Sequence, residues 1–173
     1  LLVQDELGES IRKFSPKPAD YNEWDDEKKA TNPGPWITAH AGVNRFVWDL
    51  RYPGSDRVPS DKTATESLLG PFVLPGKYQV QLSVGERVYT ASFDVVNDPR
   101  SSVVQSDLIE QLDLLKRIYD KLSESNRAIL RLRDVRSQLR TWRERLSEQE
   151  PIEAAIDTLT AAMDSVEDAL IVP

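Results

Sequence analysis

The chain offers few side chains for catalysis, since its 173 residues include one histidine, His40, and no cysteine. A nucleophilic triad or an imidazole-based metal site would therefore have to use His40. That residue lies between Ala39 and Ala41, in a segment typical of a loop. We predict a surface or loop-anchoring role for it, and we predict no catalytic residue, no cofactor-binding residue and no metal ligand.

Acidic side chains offer two further kinds of chemistry. A cluster of carboxylates could bind Ca²⁺ through its oxygens, and its members are Asp20, Glu23, Asp25, Asp26 and Glu27. It lacks the ordered spacing and the glycine of a calcium-binding loop, so we expect a solvated acidic loop. A carboxylate pair could also hydrolyse a glycoside, but none of the 29 acidic residues lies in a segment that predicts burial.

Four aromatic residues lie in segments rich in proline and polar residues, where loops are expected. They are Tyr21, Trp24, Trp36 and Tyr52. Exposed rings in loops can stack on sugars or anchor a protein partner, so these four are our candidate sugar-binding residues. The alternative is that the rings cover one end of a protein core.

The overall charge narrows the choice of partner. The formal net charge of −7 produces a surface field that repels phosphate backbones and anionic lipid headgroups. We therefore expect no nucleic-acid partner. No run of about 18 apolar residues occurs, so we predict no membrane span.

The segments that must position these side chains change character at Pro99. Before it, apolar and polar residues alternate, which predicts a β domain over residues 1–98. Residues 1–14 predict a first hairpin, and residues 77–84 and 87–96 predict a second one joined by Gly85 and Glu86. A glycine at the first central position is typical of a type II′ turn.

A further strand is predicted at residues 44–50, where alternation places Phe46, Trp48 and Leu50 on the core side. Half-buried antiparallel strands of this kind favour two sheets packed face to face. We therefore predict a small antiparallel β-sandwich over residues 1–98.

After Pro99 no glycine occurs and apolar residues recur every three or four positions, which predicts helices over about 103–148 and 151–171. Residues 127–145 contain seven arginines and two acidic residues, whereas residues 148–168 contain seven acidic residues and no base. Opposite charges on consecutive helices favour an antiparallel helical hairpin over residues 99–173. The fold class predicted for the whole chain is therefore α+β, with strands and helices segregated.

The two predicted helices differ in length, at roughly 65 Å and 30 Å. The first half of the long helix therefore has no partner within the hairpin. Its apolar positions are the candidate partner-binding residues, namely Leu108, Leu112, Leu115, Tyr119 and Leu122. We expect this stripe to lie on the sandwich, to bind a protein partner, or to associate with a second copy of the chain.

Three segments, residues 42–52, 70–78 and 97–100, carry a family resemblance. The first contains Gly-x-Asn-x-x-x-Trp-Asp and the second contains Pro-Gly-x-Tyr. In these segments the chain resembles the C-terminal region of bacterial BNR-repeat, sortilin-like β-propeller proteins, which are often labelled glycosyl hydrolases. The same motifs resemble the Ig-like fold of flagellar hook-capping proteins.

The resemblance covers most of the chain, because family members follow the same Ig-like block with long helices. It implies a secreted or periplasmic setting and an upstream β-propeller domain as a partner within the same chain. The Asp-box repeats that mark the propeller do not occur here, so the activity of a propeller is not assigned to these residues. The opening Leu1-Leu2-Val3 has the pattern of the middle of a strand, which leads us to expect further sequence upstream.

These observations favour a non-catalytic accessory and protein-interaction region of a larger secreted β-propeller protein. The first alternative is a carbohydrate-binding module that uses the loop aromatics. The second is a piece of a glycoside hydrolase active site. We predict that this part of the chain is not itself an enzyme.

Overall fold

A computed structural model describes residues 1–32, 34–59, 69–145 and 150–171. The fold is mixed α+β, with a four-stranded antiparallel sheet and two long helices. The elements in chain order are β1 (Leu2–Asp5), β2 (Ser10–Lys13), a 3-10 turn (Tyr21–Glu23), α1 (Asp26–Thr31), β3 (Gly76–Val84), β4 (Arg87–Val95), α2 (Gln105–Arg145) and α3 (Glu150–Leu170).

The sheet has the strand order β2-β1-β3-β4, and every neighbouring pair is antiparallel. Both predicted hairpins, β1–β2 and β3–β4, are present. In the second one Val84 pairs with Arg87 across the turn, and Gly85 has a φ of 60°. That value is the positive φ that the first position of a type II′ turn requires, which is why glycine stands there.

The sheet and the loop residues that pack on it form what we call the β body. Its core lies on one face of the sheet. Its buried residues are Val3, Ile11, Phe14, Val73 and Tyr78, and partly buried rings of Phe46, Trp48, Tyr52 and Phe93 pack against them. The Tyr78 hydroxyl donates a hydrogen bond to the Leu74 carbonyl at 2.7 Å. Because its ring is buried, ionisation is unfavourable and the pKa of Tyr78 rises to about 12.

The strand predicted at residues 44–50 is wrong. These residues form an irregular segment, although the rings of Phe46 and Trp48 do pack on the core as predicted. No ladder forms here, but two bonds hold the end of the segment. The Leu50 carbonyl accepts a hydrogen bond from the Val73 N–H at 2.8 Å, and the Trp48 indole donates to the Arg51 carbonyl at 3.0 Å. Leu50 has a φ of 57° and is 39% exposed, so it does not join the core.

The long loop predicted between the first hairpin and His40 contains two short helical elements. The helix α1 begins because the Asp25 carboxylate accepts a hydrogen bond from the Lys28 backbone N–H at 2.7 Å, which satisfies one free donor of its first turn. Loop composition predicts the absence of strands here, but it does not exclude a single capped turn.

The sandwich prediction is not confirmed, because the described residues contain one sheet and the sandwich needs two. The two long helices lie close to their predicted bounds. The predicted end of the first one, near residue 148, lies outside the described residues. Within the described part of the chain, neither long helix has an apolar stretch that could cross a membrane.

Candidate interaction surfaces

The stripe predicted to bind a partner on α2 is largely covered within the chain. Leu112 is buried, and Leu108, Leu115, Tyr119 and Leu122 are half-buried. The Tyr119 hydroxyl donates a hydrogen bond to the Leu69 carbonyl at 2.6 Å. The first half of α2 therefore contacts the segment that precedes β3. The sandwich on which the sequence would place this stripe is not confirmed. Binding of an external partner by this stripe stays a prediction.

A polar anchor fixes α2 to the body through residue 56. The Asn126 amide donates to the Asp56 carbonyl at 2.7 Å, and the Asp56 N–H donates to the Ser123 hydroxyl at 3.1 Å. Asn126 is a buried polar residue. Sequence reasoning missed it, yet a signal was present: it stands four residues after Leu122 and three before Ile129, where the apolar spacing would continue.

The second half of α2 contacts α3 through an apolar centre and a row of ion pairs. Ile129 is 1% exposed and packs with Ile171 and Val58. Beside this centre run three arginine-carboxylate pairs, which join Arg133 to Glu167 at 2.7 Å, Arg136 to Asp164 at 2.7 Å and Arg143 to Asp157 at 2.9 Å.

Glu167 is the most enclosed acid of this row, because Arg136 also contacts it at 2.9 Å. Burial disfavours its charge, but hydrogen bonds and charges from Arg133 and Arg136 outweigh that effect. The net result is a lowered pKa of Glu167. The carboxylate is therefore ionised and paired at neutral pH.

Three of the four candidate sugar-binding residues form one cluster. The Tyr21 ring centroid lies 5.2 Å from that of Trp24 and 6.0 Å from that of Trp36. Lysine ammonium groups lie over two of these rings, with Lys17 4.2 Å from the Tyr21 centroid and Lys28 4.0 Å from that of Trp24. A sugar stacks on an open ring face, so these lysines compete with it.

Tyr52 lies apart from this cluster. Its ring packs at the edge of the β core, and the Lys116 ammonium of α2 lies 4.4 Å from its centroid. Tyr52 therefore links the body to the long helix instead of completing a sugar platform.

The remaining candidate groups make local contacts. The Asn44 side chain accepts a hydrogen bond from the His40 N–H at 3.0 Å and donates one to the His40 carbonyl at 2.8 Å, which fixes the loop around His40. The Asp20 carboxylate accepts a hydrogen bond from the Trp24 indole at 2.8 Å, which lowers the pKa of Asp20.

Among the residues that the structure describes, no group of three or more His, Cys, Asp or Glu side chains could hold a metal ion. The side chain of Glu27, a member of the acidic cluster for which we expect a solvated loop, lies outside the described residues.

The apolar face of the β3–β4 hairpin is covered at one end and bare at the other. Tyr78 is 6% exposed, whereas Leu82, Val84 and Tyr89 on the same face are 37%, 58% and 53% exposed. These last three residues define the bare hairpin end. Sequence alternation predicts the face correctly but gives no sign that its covering stops partway.

The outer edge of β4 is also open. No strand among the described residues pairs with it, since β4 ends the strand order of the sheet. Its nine residues therefore present unpaired backbone donors and acceptors along one side.

Comparison of the chain with protein-family models, with curated proteins and with solved structures finds no match.

Proposed function

We propose that this chain is a non-catalytic interaction region whose bare hairpin end packs against a further protein domain. The observation that carries the proposal is the contrast along one sheet face, where Tyr78 is buried and Val84 and Tyr89 are more than half exposed. Apolar side chains clustered on a sheet are unfavourable in water, so a covering partner stabilises them.

The size of the effect fits a moderate interface. Burial of a large apolar side chain contributes about 1.5–3 kcal/mol, and part of that is available from each of Leu82, Val84 and Tyr89. The open edge of β4 adjoins these side chains and can add backbone hydrogen bonds to a strand of the partner. A partner that supplies an apolar strand would use both features.

The family resemblance supplies the identity of that partner under this proposal. It would be a β-propeller domain upstream in the same chain, in a secreted or periplasmic protein. The sheet would then be one layer of an Ig-like sandwich, with α2 and α3 as an antiparallel hairpin. The order of the ion pairs supports the hairpin, because α3 partners fall from Glu167 to Asp157 as α2 residues rise from Arg133 to Arg143.

The proposal is tested by mixing this chain with a sortilin-like β-propeller domain and measuring the mass of the complex by light scattering. Val84→Lys combined with Tyr89→Lys should abolish the complex, because two charges would enter the interface. The matched control is Ser83→Lys with Thr90→Lys, which adds the same charge to the opposite face of the same hairpin. Absence of a complex with the unaltered chain, or equal loss in both double variants, would contradict the proposal.

Carbohydrate binding is the second candidate, and the observation that favours it is the gathering of Tyr21, Trp24 and Trp36. If it is correct, soluble glycans should change tryptophan fluorescence, and Trp36→Ala should remove the change. Lys28→Ala should strengthen binding by opening the Trp24 ring face. A fluorescence signal that no glycan alters would eliminate this candidate.

A further inference from the structure

A second apolar surface lies on the helices, on the side away from the ion pairs. On α2, Val135 and Trp142 are 41% and 57% exposed, and each precedes an ion-pairing arginine by one residue. On α3, Leu159 and Val166 are 46% and 48% exposed, and each follows an ion-pairing aspartate by two residues. We call these four residues the apolar flank.

Helix geometry places the four residues on one side of the α2–α3 contact. One residue corresponds to a rotation of about 100°, so Val135 and Trp142 are turned by about 100° from the arginines. Leu159 and Val166 are turned by about 200° from the aspartates. Since the ion pairs mark one flank of the contact, these rotations bring both apolar rows to the opposite flank.

The surroundings of this flank are uncharged on the α3 side. Ile152 and Leu170 extend the apolar row and are 40% and 49% exposed. Three exposed alanines, Ala155, Ala162 and Ala169, run beside it at intervals of seven residues. Small residues at this spacing let another helix approach closely, so the surface fits helices better than it fits a loop or a strand.

We propose that the apolar flank is the contact between two copies of this chain, which together form a four-helix bundle. In α2 the stretch 127–145 is basic, with seven arginines and two acidic residues, whereas α3 contains six acidic residues and no base. A two-fold axis parallel to the helices places α2 of each copy over α3 of the other. In both contacts a helix of net positive charge therefore faces a helix of net negative charge, and the two-fold axis makes the two contacts equivalent.

The other two-fold arrangement is disfavoured by the same charges. An axis perpendicular to the helices would place one α2 over the other α2, and two basic helices would meet.

The size of the surface also fits a dimer. A face about 30 Å long and two helices wide covers about 600 Å² per copy, close to the roughly 800 Å² per partner of standard interfaces.

This inference concerns a surface separate from the bare hairpin end, so it can fail while the proposed function stands. The first experiment is sedimentation equilibrium of the whole chain over a range of concentrations. The unaltered chain should sediment with twice the mass of one chain. A monomer at all concentrations would overturn the inference.

Two variants with equal added charge locate the contact. Leu159→Arg with Val166→Arg should raise the dimer dissociation constant by about 100-fold or more, because charges would enter the apolar centre. Thr158→Arg with Ser165→Arg places the same charges on the exposed outer side of α3 and should leave the dimer intact. A dimer that resists the first pair, or responds equally to both pairs, would show that the contact lies elsewhere.

Disulfide trapping then tests the orientation, since the chain has no cysteine of its own. Because Arg136 lies opposite Asp164, Val135 of one copy should lie over Val166 of the other. A mixture of Val135→Cys chains and Val166→Cys chains should form a cross-linked dimer under oxidation. Cross-linking of Val135→Cys chains with one another, without Val166→Cys, would indicate the perpendicular axis and overturn the arrangement.

Discussion

The β body and the α2–α3 pair solve the same problem of burial with different side chains. In the body, aromatic rings from strands and loops meet in one place, with Trp48 6.2 Å from both Tyr78 and Phe93 between ring centroids. In the helices, a narrow apolar centre around Ile129 is lined by arginine-carboxylate pairs. The body thus concentrates its stability at few positions, whereas the helices distribute theirs along their length.

The largest effect on the free energy of unfolding is expected in the β body, where a few buried rings supply most of the stability. Tyr78→Ala should lower the free energy of unfolding by about 4 kcal/mol, because a buried ring is removed and a cavity remains. Tyr89→Ala, on the same sheet face but 53% exposed, should change it by less than about 0.5 kcal/mol. Urea unfolding followed by tryptophan fluorescence measures both values, and equal effects would refute the comparison.

An intermediate effect is expected where the two regions join. Asn126→Ala should cost about 2 kcal/mol, because it leaves the Asp56 carbonyl without its donor in a partly buried place. Gln138→Ala removes an exposed hydrogen bond to Asp134 within α2 and should cost less than about 0.5 kcal/mol. Urea unfolding measures both variants. An equal loss of stability in Gln138→Ala and Asn126→Ala would mean that the partly buried bond of Asn126 contributes no more than an exposed hydrogen bond does.

The smallest effect is expected in the ion-pair row and depends on pH. Glu167→Gln should cost about 1 kcal/mol at pH 7, since the lowered pKa of Glu167 reflects its pairing with Arg133 and Arg136. A lowered folded-state pKa contributes stability above the unfolded value of about 4.3, and that stability is lost as the pH falls through the folded value. The difference between the two proteins should therefore begin to shrink below about pH 4.3 and vanish only below the lowered pKa of Glu167 in the folded protein.

Thermal unfolding at several pH values measures this dependence. The matched control is Asp168→Asn, which removes the neighbouring exposed carboxylate and should show a smaller effect at every pH. A Glu167→Gln difference that persists unchanged at pH 3 would contradict the assignment of the stability to the ion pairs.

Much of the fold could be predicted from local pattern. Gly85 between two alternating runs predicts the β3–β4 hairpin, and the three- and four-residue spacing after Pro99 predicts α2 and α3. The strand at residues 44–50 could not be rejected from its pattern. An irregular segment outside a strand ladder also turns alternate rings toward a core, as Phe46 and Trp48 do here.

The candidate surfaces were less predictable, because they depend on what covers each residue. Loop composition suggests that Tyr21, Trp24 and Trp36 are available, but it cannot show that Lys17 and Lys28 lie over two of these rings. The apolar spacing identifies the positions of the apolar flank as helix-facing. Which side of the helix pair stays open is decided by the register of the ion pairs, which spacing alone does not give.

One continuous helix, α2, joins the two regions, so a change in its tilt produces the largest shift at its far end. Asn126 holds the helix to Asp56, and from that contact to Arg145 the helix extends by about 30 Å. A tilt of about 5° at Asn126 would shift Arg145 by about 2.5 Å, which is comparable to half a helical turn. A small movement of the segment around Asp56 that tilts α2 would thus produce a larger shift at Arg145.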